Sequence, residues 1–434
     1  MQTRPDHALR HASYRWLISG TTINNLGNGI SPVAIAFAVL DLGGSASQLG
    51  LVVGAYALAD VAAVVGGGVL GDRWSRTAMM RGSMAAVAVV QAAVAASLIG
   101  GWGSIWLLGV LGAINGALSS LAGPSTQAIT PQTVPEGVLR QAITLRRLSQ
   151  NMAVLIGSGV AGLLVSWVGS GWALAVDAAT FALAALCFLG IRVRPVADVG
   201  GSTARFFAEA VSGFREVLRH SWLWGGIAMA LVYHFFYGGA QGVLGPIVVG
   251  DHFGRAAWGY ALSAMMAGFV VGGAVSLVWR PRRILLVGEL FLMLTVCFPL
   301  TMALSDQVAL VLIGAFLHGF GLEIFSVGWD LAIQENVAPE MLARVYSFDQ
   351  LGSFIARPLG LALTGVAAGA TSDRSWLLVV AVAMLVAEVA PFWIPDVRRL
   401  TRRATAAEHV AGSQPLGDSG GELAVRTVDL GDRG

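Results

Sequence analysis

Polar residues are sparse over long stretches of this chain and then gather in short clusters, often beside Pro, Gly or Arg. The stretches between the clusters number twelve, at approximately 14 to 40, 47 to 70, 78 to 100, 105 to 128, 141 to 168, 171 to 191, 221 to 247, 257 to 279, 284 to 304, 308 to 333, 344 to 370 and 375 to 394. Each is long enough for a helix to cross about 30 Å of hydrocarbon, which takes roughly 20 residues. Helix is the expected form, because lipid offers no partner to an unpaired backbone N–H or C=O. The first stretch is too long, and too soon followed by the second, to read as a cleaved signal peptide.

Composition agrees that bilayer is the solvent. Of 434 residues, 56% are hydrophobic and 12% charged, and the mean hydropathy is +0.71. The 56 glycines suit a membrane bundle, where small residues let helix backbones approach. All 27 basic residues are Arg, so no phosphate-binding loop ending in Lys-Ser or Lys-Thr exists and direct ATP coupling has no visible machinery. No His-Glu-x-x-His helix or Gly-x-Ser-x-Gly elbow appears either, which disfavours an enzyme. Cys187 and Cys297 lie in apolar stretches and read as small core residues.

Arginine sets the expected orientation, since positive loops stay cytoplasmic. Arg4, Arg10 and Arg15 precede the first stretch, Arg73 and Arg76 follow the second, Arg140 the fourth, and Arg192, Arg194, Arg205, Arg215 and Arg219 the sixth. Arg280, Arg282 and Arg283 follow the eighth, Arg344 the tenth, and Arg398, Arg399, Arg402 and Arg403 the last. The other side offers Arg255 and Arg374. Both termini are therefore expected in the cytoplasm of a bacterial cell, with the chain in its cytoplasmic membrane.

The chain divides into an N-terminal half (1–191), a linker (192–220), a C-terminal half (221–394) and a polar tail (395–434) expected to be disordered. In the linker Phe207, Val211, Phe214 and Leu218 recur at helical spacing among arginines, the pattern of an interfacial helix. The halves repeat. Pro135-Glu136 and Pro339-Glu340 each sit between spans four and five of their half, at an offset of 339 minus 135, or 204 residues. Pro then Glu suits any first helical turn, but that does not explain the matching positions. The expected fold is an all-α membrane protein with twelve transmembrane helices in two pseudo-symmetric six-helix bundles, a pattern that belongs to transporters with a solute site between the halves.

Gly68-Val69-Leu70-Gly71-Asp72-Arg73-Trp74-Ser75-Arg76 resembles the signature loop of the major facilitator superfamily. The Pro-Glu segments, Arg280-Pro281-Arg282-Arg283, and Ala343-Arg344-Val345-Tyr346-Ser347 leading to Arg357-Pro358-Leu359-Gly360 look like its drug and siderophore exporter branch, which includes enterobactin and macrolide exporters. The resemblance implies that Gly68 allows close packing and that Asp72, Arg73 and Arg76 form a cytoplasmic gating network. It further implies that spans one, four, seven and ten line a central cavity, and that transport is export. Two segments depart from the proton-coupled exporters. Asn115-Gly116 stands where a Gln-Gly pair is usual, with Gly112 in place of the preceding Arg, and the fifth-span motif survives only as Gly157-Ser158-Gly159-Val160-Ala161-Gly162.

Ionisable groups at membrane depth are functional candidates because each is costly unless paired or wetted. By helical rise Asp60, Glu323, His234 and His318 lie about 15 to 22 Å from a span end, and are the proton-coupling candidates, the two histidines ranked behind the acids. Asn24, Asn28, Asn115, Ser119, Tyr233, Tyr237, Gln241 and Trp329 are the substrate-binding candidates, with polar packing between helices as their alternative reading. Asp330, Asp349 and Arg357, nearer the cytoplasmic side, read as gating or packing ion pairs. Glu289 and Asp177 read as structural, and Glu388 as a buried hydrogen-bonding group of a peripheral span. The function these features imply is secondary active export of an amphipathic small molecule by proton antiport, from a monomer in the bilayer, with no cofactor, metal or nucleic acid. An importer or facilitator, or a transport-inactive sensor or scaffold, remains open on the same fold.

Overall fold

A computed structural model of the protein describes residues 7–71, 76–121, 129–192, 203–279 and 281–400, less the side chains of 64–71, 76, 140, 203–210 and 343. Twelve helical segments cover the apolar stretches: α1 Ala12–Asp41, α2 Ala46–Gly71, α3 Arg76–Ile99, α4 Ile105–Ser120, α5 Glu136–Val168, α6 Ser170–Leu189, α7 Ser221–Phe253, α8 Arg255–Val278, α9 Ile284–Leu304, α10 Val308–Asn336, α11 Arg344–Ala370 and α12 Asp373–Trp393. Eleven are long and apolar enough to cross a membrane, and the shorter α4 stops where the described residues do. A linker helix, Thr203–Arg219, joins the halves. Its Val211, Phe214 and Leu218 are exposed while Val217 is buried, so an apolar stripe faces outward on an otherwise charged helix.

Local chemistry explains where the helices begin and bend. Ser104 caps α4 by accepting the Leu107 N–H, and Ser372 caps α12 by accepting that of Ser375. Gly169 and Gly254 are single-residue joints between α5 and α6 and between α7 and α8. Their φ values of 87° and 85°, with ψ of 166° and 157°, define backbone that glycine alone adopts readily. Proline accompanies an irregular turn or a break in α7, α9 and α11, because it offers no N–H to the carbonyl four residues earlier. Pro246 follows a π turn at Ala240–Leu244 in α7, and Pro299 follows a 3-10 turn at Met293–Val296 in α9. The stretch expected as one helix over 344 to 370 is two, Leu342–Phe354 and Arg357–Ala370. The break falls where Pro358 opposes the Phe354 carbonyl.

Packing follows the repeat. In the N half α1 packs on α5 and α6, α3 on α6, and α2 on α4, whereas in the C half α10 packs on α8 and α9, α12 on α7 and α9, and α11 on α7. The most extensive packing between the halves is of α5 with α8 and of α2 with α11. Both meet at the end of the bundle opposite the termini. There a Cβ added to Gly259 would lie 2.8 Å from the Gly162 backbone, so side chains larger than hydrogen would force α5 and α8 apart. Ser263 Oγ of α8 donates to the Leu155 carbonyl of α5 at 2.8 Å.

Candidate functional site

The end opposite the termini is closed by charge as well as by close packing. Arg255 Nη2 of α8 lies 2.5 Å from Asp41 Oδ1 of α1, and Ser170 Oγ donates to Asp41 Oδ2 at 2.8 Å. The guanidinium also sits 5.2 Å above the Phe37 ring, a cation–π arrangement.

Toward the other end, acids of each half lie within electrostatic reach of an arginine of the other. Asp60, half-buried on α2, feels the charge of Arg357 on α11, whose side chain is exposed. Tyr56, one turn before Asp60, hydrogen-bonds to Ser119 of α4. Glu323 and Asp330, half-buried on α10, both feel Arg147 of α5. The proton-coupling candidates Asp60 and Glu323 thus each belong to a group of charges contributed by both halves. Asn28 is exposed on α1, while Asn24 is half-buried with its Oδ1 unpartnered.

The aromatic and histidine candidates are more enclosed than a cavity wall requires. Tyr233, Tyr237 and Trp329 are 3%, 6% and 7% exposed and His318 is fully buried. His318 Nδ1 bonds to the Thr295 carbonyl at 2.8 Å and its Nε2 to the Tyr233 hydroxyl at 2.9 Å. A carbonyl can only accept, so Nδ1 carries the hydrogen and Nε2 of a neutral ring accepts from Tyr233. Thr295 is four residues before Pro299, whose missing N–H leaves that carbonyl free. Tyr237 stacks on His318 at 4.2 Å and donates to Met265 Sδ at 3.2 Å. Gln241 Nε2 reaches the same sulfur at 3.9 Å. His234, half-buried, holds the Ala230 carbonyl at 2.8 Å and packs 4.2 Å from the Phe354 ring. Trp329 is packed against Trp222 and Phe325 and donates to Asp349 Oδ1 at 3.1 Å, so Asp349 holds an indole.

In the N half Asn115 is buried as well, inside a chain of side chains. Ser119 Oγ donates to Asn115 Oδ1 at 3.0 Å, Asn115 Nδ2 to Gln91 Oε1 at 2.7 Å, and Gln91 Nε2 to Asp177 Oδ2 at 2.6 Å. Of the signature loop, Asp72 and Arg73 lie outside the described residues, as do the surroundings of Gly68 and Arg76.

Arg147, Tyr56, Gln91 and the Asp41–Arg255 pair were not singled out from the sequence. The adjacent Arg146 and Arg147, inside an apolar stretch, were the available signal for the first.

A family model described as Major Facilitator Superfamily matches residues 17–297. The chain is 26% identical over 403 residues to the multidrug efflux pump Tap of Mycobacterium tuberculosis, covering 88% of this chain and 94% of that one. It is 22% identical over 391 residues to macrolide efflux protein A of Streptococcus pyogenes, covering 88% and 96%. Among solved structures, a variant of the nucleoside transporter NupG superposes with a TM-score of 0.70 at 13% identity, covering 88% of this chain and 99% of that one. Twelve helices in two repeated sets, joined by α5 with α8 and α2 with α11 and matched by this family over most of the N half and into the C half, make the chain a membrane transporter that belongs to the major facilitator superfamily.

Proposed function

We propose that this protein exports amphipathic small molecules, of the drug or natural-product class, across the bacterial cytoplasmic membrane in exchange for protons. The observation that supports this reading best is that half-buried acids of each half lie within electrostatic reach of an arginine of the other, Asp60 of Arg357 and Glu323 of Arg147, beneath an end sealed by Asp41–Arg255. Acids placed there change surroundings when the halves rock. A carboxyl gains proton affinity as it is dried and loses it as it is wetted or meets a cation. Asp60 and Glu323 are then the carriers, Arg357 and Arg147 the cations that displace their protons, and the half-open polar groups Asn28, Ser119, His234 and Gln241 the solute contacts. The N half (1–191) and C half (221–394) are the rocking units, joined by the linker, with both termini cytoplasmic and the chain acting as a monomer. Export, rather than import, is supported by the likeness along most of the chain to Tap and to macrolide efflux protein A.

The test is transport of ethidium and of erythromycin by the full-length protein in proteoliposomes under an imposed pH difference. Uphill movement that collapses with a protonophore is the expected result. Downhill movement alone would make it a facilitator, and binding without movement a sensor.

A further inference from the structure

Glu388 of α12 and Glu289 of α9 are 0% and 1% exposed. Each keeps one buried carboxyl oxygen, Oε2, without a hydrogen-bond partner. Glu388 Oε1 accepts from Thr295 Oγ1 at 2.5 Å. The titratable groups facing Glu388 are Glu289 and Cys297 of α9 and Tyr233 of α7, with His318 of α10 one bond beyond Thr295. Among the described residues no arginine acts on either carboxyl. A lone charge at this depth costs several kcal/mol, and two like charges in a dry interior repel strongly. A charge on Glu388 therefore opposes a charge on Glu289.

The pair is also wired to the rest of the bundle. Tyr233 donates to His318, His318 to the Thr295 carbonyl that Pro299 leaves free, and the Thr295 hydroxyl to Glu388. The N half carries a parallel arrangement in which Ser119, Asn115 and Gln91 donate in turn toward Asp177, itself fully buried with Oδ1 unpartnered. Gln91 and Thr295, the last donors in the two chains, stand 295 minus 91, or 204 residues, apart. That is the offset of the two Pro-Glu segments, so the same position of the repeat holds the acid of span six and of span twelve.

We propose that Glu388 and Glu289 form a proton-binding site of the C half that exchanges one proton with water. This deepens the proton-coupled reading above and rests on it. Loading forms one carboxyl O–H bond from a carboxylate and a proton, and release returns that proton to water. The chain through Thr295, His318 and Tyr233 ties the loaded state to the packing of α9, α10 and α7 against one another.

Infrared titration of the full-length protein in lipid nanodiscs tests the site without any substrate. A protonated-carboxyl C=O band of a weakly hydrogen-bonded acid should be present at low pH and fade as pH rises. Glu388→Gln should remove its share of the band and leave that of Asp177, while Asp60→Asn and Glu323→Gln leave the Glu388 share in place. Glu289→Gln removes the neighbouring negative charge and should lower its midpoint by about one pH unit or more. Thr295→Val, close in shape, removes a bond to the charged form and should raise the midpoint. A band indifferent to Glu388→Gln, or one that never titrates while the protein stays folded, would overturn the proposal. Proton-driven ethidium movement by the wild type is scored separately. Its absence counts against the transport reading, and the band still decides the site.

Discussion

Breaking the ion pair at the sealed end should shift the protein toward the conformer open at that end. Asp41→Asn keeps the shape and the contact with Ser170 while removing the charge that Arg255 meets at 2.5 Å. Bare Coulomb attraction at an effective dielectric of 20 would be about 4 kcal/mol at 4 Å. The side chains are 41% and 31% exposed, however, so water screens the pair and the net contribution is about 1 kcal/mol. That corresponds to about a fivefold change in the ratio of closed to open molecules. Spin labels at Ser45 and His252, which flank the seal on the two halves, would report it by double electron–electron resonance in a form lacking Cys187 and Cys297. The long-distance population should rise about fivefold in Asp41→Asn and equally in Arg255→Ala, and the double variant should add nothing further. Unchanged distance distributions, or effects that simply add, would refute the assignment of this pair as a seal.

Orientation can be read by labelling. Single cysteines at Ser45 and Ser104 should react with an impermeant thiol reagent from outside intact cells and one at Ser202 should not, as the arginine distribution requires, and reversed labelling would overturn it. Glu323→Gln should abolish uphill ethidium efflux under a pH difference while leaving downhill exchange, with Asp60→Asn the parallel case in the other half. Uphill transport at the wild-type rate would remove Glu323 as a carrier. His318→Ala orphans the Thr295 carbonyl and the Tyr233 hydroxyl, at about 1–3 kcal/mol for each buried group, and should lower the thermal-unfolding midpoint in nanodiscs. Pro299→Ala supplies an N–H to that carbonyl and should recover about 1 kcal/mol in the His318→Ala background, whereas purely additive losses would contradict the account of the freed carbonyl.

Helices were the most legible part of the sequence, because the requirement that lipid imposes on the backbone acts locally and repeats along the chain. The break before Arg357 was harder to see. The same residue type, at Pro32, leaves α1 continuous, and only neighbouring packing separates a bend from an interruption. The site was legible as a set of polar residues but not as a set of contacts. Periodicity that marks a buried face in water fails when lipid and core are both apolar, so it could not separate Trp329, packed among aromatics, from the exposed Asn28. Glu388 illustrates the same limit. A carboxyl in an apolar stretch states a cost, and whether Thr295 or an arginine offsets it depends on helices a hundred residues away in sequence.

The interruption of α11 gives that helix two allegiances. Its first piece packs on α7 and on the linker helix, where Arg344 Nη1 donates to Ser212 Oγ at 2.9 Å and Phe348 meets Phe214. Its second piece packs on α7 too, and also lies against α2 of the other half. A stiff rod across both neighbourhoods would force them to turn together. A jointed one lets the first piece follow the linker helix while the second keeps its seat against α7 and α2.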